Sequence, residues 1–163
     1  MARYAEDYNT AVTLSVLDRL IDNTGDGPAT LSRSESVRLL KDGLRRDLEW
    51  LLNTRRIAVP PDESLREVNK SLYIYGLPDF TAYALNSPKD QSKLVRFLQS
   101  TVKLFEPRLA NVRIIPLESM AGKTRTLRFR IEGMLLMDPA PEHVSFDTVL
   151  ELTSGGYEVQ NAG

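Results

Sequence analysis

The stretch SPKDQSKLVRFLQSTVKLFEPRLANVRIIPL, residues 87–117, restricts the possible folds more than any other part of the chain. Across a single proline it switches from a helical apolar period to a twofold one. Leu94, Leu98, Thr101, Val102 and Phe105 recur at three- and four-residue steps, which lines them up on one helix face. Ser87 and Pro88 suit the helix start. A serine hydroxyl accepts from a first-turn N–H, and the first helical position does not need the N–H that proline lacks. Pro107 stops the helix, because its ring disfavours helical geometry at Glu106 and it has no N–H to donate to the turn behind. Val112, Ile114 and, after a slip at Ile115, Leu117 then read as a strand. Such a chain turns a fixed corner from a helix into the sheet that the helix must cover.

Glu106, at that corner, is chemically odd. A carboxylate at a helix C-terminus faces the negative end of the dipole, at a cost of about 0.3–1 kcal/mol unless a cation answers it. Arg108 is close in sequence, but the intervening proline restricts how the two side chains meet. Either the pair closes locally or each residue points at a different partner. A plain helix stop with two solvated charges is the bland alternative.

Upstream, Leu14, Val16, Leu17, Leu20 and Ile21 predict a short amphipathic helix ending near Asn23, where NTGDGPAT is a cluster of turn residues. Gly25 and Gly27 do not make a phosphate loop, since no Gly-Lys-Ser/Thr follows and no buried strand precedes. Ser32 and Glu35 have capping-box spacing. Val37, Leu40, Leu44, Leu48 and Leu51 then share one face of a long helix that closes at Asn53 and Thr54. Pro60 and Pro61 break the chain. Leu65, Val68 and Leu72 suggest a helical turn, and Tyr73, Tyr75 and Phe80 bracket the Gly76-Leu77-Pro78 turn. So many large apolar groups predict a packed, irregular connection.

Beyond residue 110 the period is twofold. Leu127, Phe129 and Ile131 alternate with Thr126, Arg128, Arg130 and Glu132, and Gly133 marks a bulge or a tight approach. Phe146, Thr148, Leu150 and Leu152 predict a further strand, and Tyr157 to Val159 a short last one. The expected fold is α+β, with N-terminal helices packed on a C-terminal antiparallel meander of three to four strands. Residues 1–13 read as a flexible lead-in and 14–163 as a single domain.

Charge and composition remove several functions. With 21 basic and 22 acidic residues among 163, the chain is not built to coat phosphate backbones. No cysteine is present, which excludes disulfides, thiol nucleophiles and cysteine-based zinc sites. No long apolar run or secretory leader stands out, so a cytoplasmic location is expected. The one histidine, His143, lies in a proline-rich turn without a nucleophile pattern, and no metal-ligand spacing appears. Neither catalytic residues nor cofactors are expected. The basic strand face of Lys123, Arg125, Arg128 and Arg130 is the best nucleic-acid candidate, but no aromatic platform interleaves it. A carboxylate pair could serve a glycan hydrolase, yet nothing singles one out.

The stretches LSVLDRLID (14–22), RRDLEWLLNTRR (45–56), YGLPDF (75–80), FEPRL (105–109), LRFRIEGML (127–135) and DPAPEHVSFDTVLELTSGGYEV (138–159) resemble, in that order, the TssE family. These are type VI secretion baseplate subunits of the GPW family, related to a wedge protein of contractile phage tails. The resemblance implies a structural protein, despite the family's "lysozyme-like" label. It implies contacts with the wedge subunits TssF and TssG, and a template for the first ring of tail sheath subunits through shared β-sheet. It also implies that the family's Glu-Pro-Arg motif, here Glu106, Pro107 and Arg108, meets the wedge core. With both charges on the surface, truncating either is expected to abolish partner binding while leaving the melting temperature nearly unchanged.

Overall fold

The computed structural model describes residues 16–21, 32–80, 87–117, 126–138, 140–151 and 155–162. The lead-in 1–13, the turn at 23–30 and the turn at 120–123, with Lys123 and Arg125, lie outside these residues.

Among the described residues, three α-helices precede a four-stranded sheet: α1 (Val16–Ile21), α2 (Arg33–Asn53), α3 (Pro88–Phe105), β1 (Leu109–Leu117), β2 (Thr126–Leu135), β3 (Glu142–Glu151) and β4 (Tyr157–Asn161). The strands are ordered β1-β2-β3-β4 and every neighbour is antiparallel, so the α+β meander is as the sequence predicts.

Helix α2 starts on the predicted capping box. Ser32 accepts from the Glu35 N–H, and the Glu35 carboxylate accepts from the Ser32 N–H at 3.0 Å. Leu40, Leu44, Leu48, Leu51 and Leu52 face inward. Helix α3 adds Leu94, Leu98 and Val102, and the sheet closes the core with Phe129, Ile131, Leu135, Val144, Phe146 and Val159. The start of α3 differs in one respect. The Ser87 side chain makes no capping bond, and the Ser87 carbonyl accepts from Asp90 and Gln91 instead.

The slip in β1 lies upstream of Ile115. Register shifts between Ala110 and Arg113, where Asn111 takes a positive φ of 54°. Opposite this bulge, a Cβ on Gly133 would approach the Ala110 carbonyl oxygen to 3.2 Å, so the glycine answers a tight approach.

Two apolar segments are largely exposed, and the second departs from the packed connection that the sequence predicts. In α1, Val16, Leu20 and Ile21 are 64%, 78% and 53% exposed, so its apolar side is not packed on the core. The connection after α2 is closed at its neck by the Arg56 N–H to the Leu77 carbonyl and the Leu77 N–H to the Thr54 carbonyl, both 2.8 Å. It contains two single 3₁₀ turns, Val68–Lys70 and Leu72–Ile74. Leu77 and Phe80 are buried as expected, but Ile57, Val59, Leu65, Leu72 and Tyr73 are exposed. Local hydrogen bonds hold this segment together in place of apolar burial. Asn69 donates to the carbonyls of Asp62 and Leu65, and the Asp62 carboxylate accepts from Ser64.

Candidate functional site

The corner between α3 and β1 is a turn with proline in its second position. The Glu106 N–H still closes the helix on the Val102 carbonyl at 2.8 Å, and the Leu109 N–H returns to the Glu106 carbonyl at 3.1 Å. This turn brings Glu106 and Arg108 to the same side, so the proline does not keep them apart. Arg108 donates from Nε to Glu106 Oε1 and from Nη2 to Glu106 Oε2, each at 2.6 Å. Of the two readings left open by the sequence, local closure is the one observed.

Nor is Glu106 a surface charge, because its side chain is only 6% exposed against 27% for Arg108. The bidentate pair offsets the unfavourable helix end and the loss of hydration together. The premise of two surface charges fails for Glu106, so truncation at this corner is expected to lower the melting temperature as well as disturb any contact.

Arg108 Nη2 also donates to Asp47 Oδ2 of α2 at 2.7 Å. Asp47 in turn accepts from Arg46, and Arg46 donates from Nη1 to Asp18 of α1 at 2.8 Å. Five charged side chains of alternating sign thus tie α1, α2 and the corner together. The Glu106 hydrogen bonds, outweighing burial, raise the Arg108 pKa well above the ordinary guanidinium range, and Asp47 adds to the shift. The bond to Asp18 does the same for Arg46, which also lies 5.2 Å from the centroid of the Trp50 ring.

An open pocket of about 410 Å³ lies against this network, walled by Leu17, Leu51, Tyr75, Phe105 and Pro107 beside Asp47, Glu106 and Arg108. Tyr75 and Phe105 meet edge to face at 5.1 Å. Burial pushes the Tyr75 hydroxyl pKa up, and the charges of Asp47 and Glu106 push it further.

The sheet's two edges are closed to different degrees. Along β4 the ladder turns the main-chain groups of Tyr157, Val159 and Asn161 away from β3. Asn53 of α2 grips Tyr157 as a neighbouring strand would, donating to its carbonyl at 2.8 Å and accepting from its N–H at 2.9 Å. Arg45 donates to the Val159 carbonyl at 3.3 Å. Along β1, the Leu136 N–H bonds the Arg108 carbonyl, and the register then turns the main-chain groups of Ile114 and Pro116 away from β2. Gln99 of α3 takes the Val112 carbonyl at 2.8 Å, and Pro116 has no N–H to offer. Ile114 and Asn161 keep both main-chain groups turned outward.

The basic strand face is also partly answered. Arg130 makes a two-point ion pair with Asp147 directly across the ladder, at 2.7 and 3.1 Å. His143 is exposed and sits opposite Met134. Among the described residues no group of three or more histidines and carboxylates could hold a metal ion. No described helix is long and apolar enough to cross a membrane.

These features define an α+β module, helices first and antiparallel meander last, whose densest polar network is an ion-paired corner. The chain belongs to the family described as baseplate wedge protein gp25, whose model matches residues 38–140, from the second turn of α2 to just before β3 and across the whole corner. Among solved structures, it is similar to a chain of "The baseplate complex from the type VI secretion system", with 19% identity and a TM-score of 0.49, covering 69% of this chain and 94% of that one. The curated proteins contain no match.

Proposed function

We propose that this protein is a structural wedge subunit of a type VI secretion baseplate, working in the cytoplasm without catalytic activity. The family match across the corner and the first two strands carries the reading. In it, Glu106, Pro107 and Arg108 form the contact with TssF and TssG. The support is mechanical: a proline turn locked by a bidentate ion pair and tied to α2 presents one shape, so little freedom is lost when a partner docks. The sheet then offers main-chain groups to the first sheath subunits by strand addition, at Ile114 of β1 or Asn161 of β4.

Co-purification tests the wedge contact. The tagged chain is expected to retain TssF and TssG when the three are co-expressed, and failure to retain either refutes the reading. Fragments released from peptidoglycan by the pure protein, with turnover lost on replacing one carboxylate, would establish a hydrolase instead. Neighbouring genes encoding sheath, TssF and TssG provide a quick independent check.

A further inference from the structure

Helix α3 packs beside β1, and the groove between them has two unlike ends. Toward the end of β1, Leu94, Val95 and Leu98 of α3 and Pro116, Leu117 and Phe129 of the sheet line an apolar recess of about 270 Å³. At the bulge, Gln99 and Lys103 of α3 meet Asn111, Arg113, Glu132 and His143 around an open polar hollow of about 420 Å³. Between the two, Gln99 holds the Val112 carbonyl, and the Ile114 N–H and carbonyl point away from β2.

The charges lining this groove do not balance. Arg128 lies at the apolar end, and Lys103 and Arg113 stand at the bulge. Among the described residues, Glu132 is the one carboxylate lining either end, and it sits across the ladder from Arg113. Three cations therefore face one carboxylate, with His143 neutral at pH 7. Lys103 and Arg113 are exposed and make no ion pair or side-chain hydrogen bond among the described residues. The free end of β4 has the opposite sign. Asn161 there bonds Asp42, Glu158 is exposed on the same strand, and Arg45 is committed to Glu49 and the Val159 carbonyl.

We propose that the β1 edge, not the β4 edge, receives the partner strand, and that this strand brings an apolar side chain to the recess at Pro116 and an acidic one to the bulge at Arg113. The two fall about three or four residues apart, the separation of Pro116 from Arg113 and Val112. Strand addition supplies both contacts at once. Main-chain bonds at Ile114 fix the strand, and its side chains enter the hollows on either side. A strand without the acid would strip water from Lys103 and Arg113 and offer no counter-charge, and a basic one would be repelled. The inference rests on the strand-addition reading, and names its edge and the chemistry of the incoming segment.

The test mixes the full chain with purified sheath subunits and follows amide hydrogen exchange residue by residue. On binding, the Ile114 N–H is expected to exchange at least about tenfold more slowly, while that of Asn161 is unchanged. The sheath segment protected in the same mixture is expected to hold the apolar and acidic pair. The double variant Lys103→Glu, Arg113→Glu is expected to bind about 10- to 100-fold more weakly with its melting temperature unchanged, and Glu158→Lys to bind within about twofold of wild type. Protection at Asn161 in place of Ile114, binding that survives the double reversal, or a protected sheath segment lacking the acid overturns the inference and leaves strand addition standing. A fall in melting temperature that accounts for the lost binding also overturns it. If wild type binds no sheath subunit, strand addition itself falls, and this choice of edge with it.

Discussion

Removing the two members of the Glu106–Arg108 pair should have unequal consequences. In Arg108→Ala the Glu106 carboxylate, 6% exposed, loses both guanidinium bonds and keeps only the long 3.4 Å contact to the residue 108 N–H. Breaking a buried ion pair costs about 3–5 kcal/mol. The partial exposure of Arg108 and Asp47 lowers this to about 3 kcal/mol. In Glu106→Ala the guanidinium keeps Asp47 and is 27% exposed, so water can take up the lost bonds and about 1–2 kcal/mol is expected. The double variant leaves no buried charge and should cost less than the sum, giving a coupling of about 2 kcal/mol. Urea denaturation followed by circular dichroism at neutral pH measures all three. A loss of about 3 kcal/mol corresponds to a fall of about 6–12 °C in melting temperature for a chain of this size. Equal costs for the two single variants, or strict additivity in the double, would refute the reasoning that the carboxylate is the trapped member.

Three other perturbations have clear expected outcomes. Gly76→Ala should lose at least about 2 kcal/mol, read from the melting temperature, because φ is +96° and a Cβ would lie 2.2 Å from the Thr54 carbonyl oxygen. Tyr157→Phe removes a buried hydroxyl that has no hydrogen-bond partner among the described residues, and should leave stability at neutral pH unchanged or raised by up to about 1 kcal/mol. Burial raises the folded Tyr157 pKa above its ordinary value of 10.0, so the stability tied to this group is complete below that pH and is lost as pH rises through the folded value; an alkaline titration followed by circular dichroism should unfold wild type before Tyr157→Phe. Asn53→Ala should cost about 1–2 kcal/mol in urea and increase light scattering on storage, because it uncovers the Tyr157 main chain on the β4 edge.

The sequence carried the periodic parts of this fold well. A capping box and a leucine stripe specify α2, and strict alternation specifies β2 and β3, because local spacing alone decides which side chains share a face. The corner's position was readable from Pro107 for the same reason. Its wiring was not, since Asp47 is 61 residues from Arg108 and no local period links them. A signal was nevertheless present. Asp47 falls three residues after Leu44 and four before Leu51, on the inward stripe of α2, where an acid needs a buried partner. The local closure of Glu106 on Arg108 depended on the turn geometry after Pro107, which spacing does not specify. The helix of α1 was legible but the exposure of its apolar side was not, and the 57–73 segment is less packed than expected because its reading assumed that apolar side chains find cover within their own chain.

That assumption fails at surfaces kept for other molecules, and it changes how the corner must be tested. Glu106 is at once a buried structural charge and part of the proposed contact, so loss of binding in Glu106→Ala does not by itself identify a contact residue. Arg108→Lys separates the roles better. A lysine keeps the positive charge near Glu106 and Asp47 but cannot form the two-point bond, so it loosens the corner while sparing the buried carboxylate an uncompensated charge. If partners read a rigid shape, Arg108→Lys should lose affinity well beyond its modest loss of stability, and raising the partner concentration should restore binding without restoring the melting temperature. If the pair only holds the fold together, affinity should track the folded fraction, and Arg108→Lys held well below its melting temperature should bind like wild type. This comparison measures the shape that the two-point bond holds apart from the charge that makes it.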